Sequence, residues 1–240
     1  MKTLKALFVN LKIYYLMTFR NVFLVIAHYL LPILFYLLFS VVFVGISPDN
    51  KITIIASMTA FAIAMNSYIG LPGSVSRYAV GDIKRAYIAG GISLWRVFIC
   101  AGISNFIHSL ITSLVILFTA GPLFGATFPS SILWFLLALL ISIVLATLIG
   151  VAIGMFSKSR NVATLLSQVV FLPSLFLSGA MIPLDVLPKF LQYVTYIIPL
   201  RHSVTLLGGY DLVALLVSLG FIIVLTILLV IRYKLITKRE

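Results

Sequence analysis

The sequence predicts an all-α integral membrane protein: six transmembrane helices, an N-terminal interfacial amphipathic helix, and re-entrant helices between spans five and six. Three observations carry that expectation. The 240 residues are 62% hydrophobic and 9% charged, with a mean hydropathy of +1.23, whereas soluble domains carry about 25% charged residues and need them to face water. Six apolar runs each approach the roughly 20 residues that cross a bilayer, and none contains Asp, Glu, Lys or Arg. The basic residues lie between those runs with a strong bias toward one side.

Residues 1–21, MKTLKALFVNLKIYYLMTFRN, come before the first run. At 100° per residue, Lys2, Lys5, Lys12 and Arg20 fall within an arc of roughly 80°, while Leu4, Leu7, Phe8, Leu11 and Tyr15 line another face. The expected element is a helix lying in the cytoplasmic interface with its lysines toward anionic headgroups. A plain helical extension of the first span is the alternative, and it would carry the basic stripe into the bilayer.

Residues 22–240 form the six-span membrane domain, with spans expected at 22–46, 52–72, 97–120, 132–156, 162–182 and 212–231. One set of connections and ends holds Lys2, Lys5, Lys12, Arg20, Arg77, Lys84, Arg85, Arg96, Lys158, Arg160, Arg232, Lys234, Lys238 and Arg239. The other holds only Lys51, Lys189 and Arg201. Such a bias puts both termini in the cytoplasm. The net charge of +12 is therefore topological, and no nucleic-acid partner is expected. The first apolar run exceeds the roughly 7–15 residues of a signal-peptide core. The expectation is of a chain inserted by its own spans and complete as a membrane domain, without a soluble domain.

The connection after the second run contains GDIKRAYIAGG. It reads as a short helix begun near Asp82 and stopped by Gly90 and Gly91. Exposed Asp82, Lys84 and Arg85 suit docking to a partner at the membrane surface; composition alone leaves open a solvated turn that only sets topology. In the fourth run Ala146, Gly150 and Gly154 repeat at every fourth position, as do Ala56, Ala60 and Ala64 in the second. These are packing seams, within one chain or between two. Cys100 lies in an apolar run and reads as a packing residue.

The polar residues at membrane depth are His28, Asn66, Asn105, His108 and Gln168. Each is either a pathway candidate or one half of an interhelical hydrogen bond. The runs lack the buried carboxylate of many ion-driven carriers, and the sequence lacks a GxxxxGK[ST] phosphate loop, an HExxH pair or paired cysteines. No catalytic residue and no metal site is expected. Ser178 with His108 or His202 could formally make a protease dyad, but nothing in the sequence orients them.

The stretch FLSGAMIPLDVLPKFLQYVTYIIPLRH, residues 176–202, is apolar yet broken by Pro183, Pro188 and Pro199. Pro183 is placed to begin a short helix, with Pro188 near its first turn. Val186, Leu187, Phe190, Leu191 and Val194 would share one side of it, and Pro199 would end the next apolar piece. Pieces too short to span, on the outer side, would dip back as a cap over a pathway, sheltered by protein.

Here the sequence resembles a family. SGAMIPLDVLPKFLQYVTYIIPLRHSV is similar to the segment after the fifth span in membrane subunits of type-2 ATP-binding-cassette exporters. There a Ser-Gly pair, an apolar-Pro step, a Leu-Pro step, a short helix and a Pro-Leu step recur, matched by Ser178, Gly179, Pro183, Leu187, Pro188, Pro199 and Leu200. GDIKRAYIAGGISLWRV resembles the same family's coupling region, with Ala86-Tyr87 where leucine is more usual.

The resemblance implies a permease subunit without its own ATP site, plasma-membrane and prokaryotic, paired with a second permease subunit in a homodimer or heterodimer. Cytoplasmic ATPase subunits would bind ATP and Mg. It implies coupling through Gly81, Asp82, Lys84, Arg85 and Tyr87 and through the interfacial helix. It also implies an outer gate at Ser178, Gly179, Pro183, Pro188 and Pro199. The charge-free spans lean toward an amphipathic or lipid-like substrate such as a drug, a peptide or a lipid-linked molecule, and the expected lack of a large external domain favours export over import. An ion-gradient-driven secondary transporter or channel is the alternative, and a regulatory membrane protein without transport a third.

Overall fold

The computed structural model describes residues 2–46, 51, 53–80, 82–91 and 93–238, the side chains of 2–7, 17, 46, 82 and 238 excepted. Among them all regular structure is helical. Six helices are long and apolar enough to cross a membrane: Val22–Gly45, Ile54–Ala79, Leu94–Phe124, Ile132–Phe156, Arg160–Leu177 and Leu212–Thr237. The chain is a multi-pass all-α membrane protein, as the sequence predicts.

The second span is the hub. It is built from Ala56, Ala60, Ala62, Ala64, Ser57, Thr59 and Ser67, all buried, so its thin surface lets spans one, three, four and five approach together. The sixth span packs on the fourth at the periphery. The small-residue seam of the fourth span faces the second within this chain. A Cβ on Gly154 would lie 2.5 Å from Val75 Cβ and 2.9 Å from the Pro72 carbonyl oxygen, and one on Gly150 would collide with the Ser67 carbonyl.

Several boundaries differ from the sequence reading, each for a physical reason. The second span does not stop at Pro72; helix Pro72–Ala79 continues it. A π-helical stretch, Met65–Gly70, changes the hydrogen-bond register just before it, and at a first helical turn the missing proline N–H costs little. Arg77 therefore sits on the last turn of the span. The fifth span ends at Leu177, because Ser178 Oγ donates to Leu175 O and accepts from Ala180 N, and Gly179 takes a left-handed φ of 84°.

The cap is also divided more finely. Pro183 precedes a single turn, Leu184–Val186, and Pro188 precedes helix Lys189–Thr195. Both prolines are extended, so the chain breaks at Leu187 and Pro188 instead of running as one helix. Leu187 and Leu191 turn inward, while Val186, Phe190 and Val194 are exposed, so these five do not share a face. Pro199 opens helix Pro199–Gly208, which packs against the second and fourth spans.

The N-terminal helix Lys2–Arg20 is separate from the first span. Asn21 takes an extended conformation and caps the next helix, accepting from Phe23 N at 3.1 Å. Plain continuation of one helix is thereby replaced by a break.

Candidate functional site

Three places hold the residues singled out from the sequence, and they lie at different heights of the bundle. At the end that gathers Arg77, Lys84, Arg160 and Arg232, helix Asp82–Ala89 forms as expected, followed by Gly91 at φ 67°. Its residues divide. Tyr87 turns inward, with its ring 5.5 Å from that of Tyr78, whose other side meets Tyr14 of the N-terminal helix at 6.4 Å. Lys84 Nζ donates to Ile236 O at 3.1 Å, tying the short helix to the end of the sixth span. Arg85, Ile83 and Ile88 are exposed.

Three tyrosine rings thus run from the N-terminal helix through the second span to the short helix. They are seated on a core of Leu71, Val75, Leu94, Phe98 and Met155. Burial pushes the Tyr14 phenol well above its ordinary pKa, against the lowering effect of Ser74, so Tyr14 stays neutral. Lys12 and Arg20 are exposed. Gly81 and the side chains of Lys2, Lys5 and Asp82 lie outside the described residues.

The second place is a buried polar cluster that joins four spans. The His28 and His108 rings stack at 4.7 Å. Tyr29 OH and His108 Nδ1 are 2.6 Å apart, and Ser104 Oγ lies 3.2 Å from His108 Nε2. Asn105 Nδ2 donates to Ser67 Oγ at 3.0 Å and to Thr147 Oγ1 at 2.9 Å. Thr112 Oγ1 accepts from Asn66 Nδ2 at 3.3 Å and reaches His28 O at 3.1 Å.

The backbone explains the meeting. Both Ile26–Leu30 and Met65–Gly70 are π-helical. Such turns free carbonyls from the regular ladder and re-aim side chains, and Thr112 reaches the His28 carbonyl. Gly70 gives the His28 ring its room, since a Cβ there would lie 2.6 Å from His28 Cε1. From outside, Tyr15 of the N-terminal helix stacks on His108 at 5.1 Å. The remaining cavity is about 10 Å³, room for one water at most. Gln168, grouped with these residues from the sequence, is not among them; it sits on the exposed face of the fifth span near Leu165, Val169 and Leu172.

The third place is the cap at the opposite end. Arg201 Nη1 donates to Thr195 Oγ1 and to Gln192 O, with its guanidinium 3.5 Å over the Tyr196 ring. His202 Nε2 meets Tyr196 O at 2.9 Å. Trp134 Nε1 donates to Leu206 O at 3.0 Å and Gly209 O at 2.7 Å, fastening the far end of helix Pro199–Gly208 to the start of the fourth span. Pro183 and Pro188 are exposed, while Ser178 is buried. Ser178 bonds backbone groups, so it makes no dyad with His108 or His202.

Reasoning from sequence missed Trp134, Thr112, Arg201 and Tyr196. Trp134 and Tyr196 carried the signal of aromatic residues near span ends; Arg201 carried that of one of three cations, with Lys51 and Lys189, on the sparsely charged side.

Comparison with known proteins bears on this architecture. The sequence profile of a family described as ABC-2 type transporter matches residues 5–209. Two proteins described as "Probable multidrug ABC transporter permease YbhS", from Escherichia coli strain K12 and from O157:H7, are each 26% identical over 199 residues. The match covers 80% of this chain and 50% of each relative. The chain therefore spans about half the length of the curated relatives it matches.

Proposed function

This chain belongs to the ABC-2 type transporter family, and we propose that it is the membrane subunit of an ATP-driven exporter energised by a separate ATPase. The observation that carries this reading is helix Asp82–Ala89, anchored inward by Tyr87 and outward-facing at Ile83, Arg85 and Ile88. A helix held by these contacts and presenting a cation and two apolar side chains suits a docking surface. Its ring contacts supply a path by which motion of a docked ATPase would reach the second span and the N-terminal helix. ATP and Mg belong to that partner in this reading; the 240 residues contain no phosphate loop.

The same reading puts both termini in the cytoplasm of a prokaryotic plasma membrane and the N-terminal helix in the inner interface, its lysines toward headgroups. Segment 178–200 serves as the outer gate, stiffened by Arg201 and Trp134. The histidine cluster leaves a cavity of only about 10 Å³, so in this reading substrate would pass alongside the protomer. The exposed face of the fifth span, with Gln168 among aliphatic side chains, fits a route shared with a second permease subunit. An apolar route with one amide suits an amphipathic or lipid-like substrate.

The test is Arg85→Glu in the reconstituted complex. Lys84 is a poorer probe, because its replacement would also release the sixth span. Charge reversal at Arg85 should leave insertion and basal ATP hydrolysis in place and lower transport about tenfold. Transport at the unaltered rate would remove the docking role from this helix.

A further inference from the structure

Between the third, fourth and sixth spans lies an open apolar groove of about 630 Å³. Its lining runs from Trp95 to Phe106 on the third span, Val144 to Met155 on the fourth and Thr226 to Lys234 on the sixth. Each stretch belongs to the half of its helix nearest the basic end. Eleven rises of 1.5 Å from Trp95 to Phe106 make the groove about 16 Å long, half of the roughly 30 Å hydrocarbon thickness. The groove is therefore confined to one leaflet.

Lining decides what fits. The groove is open along its length and walled almost wholly by apolar side chains of three spans, a surface that takes an extended hydrocarbon chain. Its floor is Gly102, where a Cβ would meet nothing closer than Thr147 Cγ2 at 3.5 Å.

Charge decides which lipid. The mouth is formed by Trp95, Tyr233 and Lys234, two interfacial aromatics and a cation whose stem can reach the headgroup layer. Among the described residues no acidic side chain lines the groove. Arg232, one residue from the mouth, is already engaged with Met155 O at 3.1 Å, and of the described residues that line the opening Lys234 is the cation.

We propose that this groove binds an anionic phospholipid, one acyl chain lying along Gly102 and its headgroup on Lys234. The lipid would come from the leaflet at the basic end, which is the inner leaflet if the orientation proposed above holds. The site itself depends neither on that orientation nor on ATP-driven export.

The chain contains two tryptophans, Trp95 at the mouth and Trp134 at the other end of the bundle. Trp95 emission is read as the difference between the native chain and Trp95→Phe. The full chain is placed in phosphatidylcholine nanodiscs containing either brominated phosphatidylglycerol or brominated phosphatidylcholine, which quench tryptophan on contact. Brominated phosphatidylglycerol should half-quench Trp95 at a mole fraction roughly fivefold lower than brominated phosphatidylcholine, the preference one lysine confers at a membrane surface. Lys234→Glu should abolish that ratio. Gly102→Leu fills the floor and should lower quenching by both lipids, with unchanged Trp134 emission showing that the fold is kept. Equal quenching by the two lipids would reduce the groove to ordinary lipid contact and overturn the proposal. So would a ratio that survives Lys234→Glu, quenching untouched by Gly102→Leu, or a Trp95 that no lipid reaches because protein covers it.

Discussion

Replacing Gly154 by alanine adds one methyl group at the closest approach of the second and fourth spans. The new Cβ would sit 2.5 Å from Val75 Cβ, 2.7 Å from Val75 Cγ1 and 2.9 Å from Pro72 O. Ordinary carbon–carbon contact begins near 3.5 Å, so the two helices must part locally by about 1 Å. Val75 is fully buried, and the clash is with its Cβ, which no rotamer moves. Overpacking of this kind costs roughly 1–3 kcal/mol, and a collision with a Cβ and a backbone oxygen belongs at the upper end. Alanine returns about 1 kcal/mol of helix propensity over glycine, leaving a net loss of about 2 kcal/mol. For a chain of this length that is a fall in melting temperature of about 4–8 °C. Thermal unfolding of the detergent-solubilised chain measures it, with Gly220→Ala as control because nothing lies within 4 Å of a Cβ there. If Gly154→Ala melted at or above the native chain while Gly220→Ala behaved as expected, the intrachain seam would be wrong.

Other perturbations read other parts of the molecule. Asn105→Leu removes two hydrogen bonds joining the third span to the second and fourth; at about 0.6 kcal/mol each in a membrane, the loss should be about 1 kcal/mol, visible as a fall of about 2–4 °C. Tyr87→Ala breaks the ring path from helix Asp82–Ala89 to Tyr78 while sparing the exposed face. It should lower transport in the reconstituted complex more than it lowers ATPase binding, and a parallel fall in both would assign Tyr87 to docking. Arg201→Met releases Gln192, Thr195 and Tyr196 from helix Pro199–Gly208; protease added to the side that carries the cap should then cleave within residues 184–198 faster, and unchanged cleavage would mean the cap is held elsewhere.

How far the sequence carried depends on the kind of signal. Span existence follows from local hydrophobicity, which the bilayer enforces along each helix independently, so the fourth span, Ile132–Phe156, was legible to the residue. The ends of the second and fifth spans were not, because they turn on register: a π-helical stretch ahead of Pro72, and one serine hydroxyl bonding its own backbone at Leu175 and Ala180. The break at Leu187 and Pro188 depended on which helix each proline would open. Four of the five polar candidates at membrane depth converge, but sequence gives no angle between helices and could not tell that Gln168 faces outward. Tyr87 and Lys84 were legible as part of a short basic helix; that both point inward is set by Tyr78 and Ile236, distant in sequence.

The central claim is that a separate ATPase drives this membrane subunit through helix Asp82–Ala89. Its most direct test is a mild-detergent purification of the tagged chain from its host after cysteine crosslinking from an Arg85→Cys variant, with the crosslinked partner identified by mass spectrometry. A protein carrying a nucleotide-binding phosphate loop, crosslinked at that position in stoichiometric amount, is the expected result. Recovery of the chain with no ATPase attached, from Arg85→Cys and the native chain alike, would contradict it and bring the stacked histidines and an ion-driven mechanism to the front.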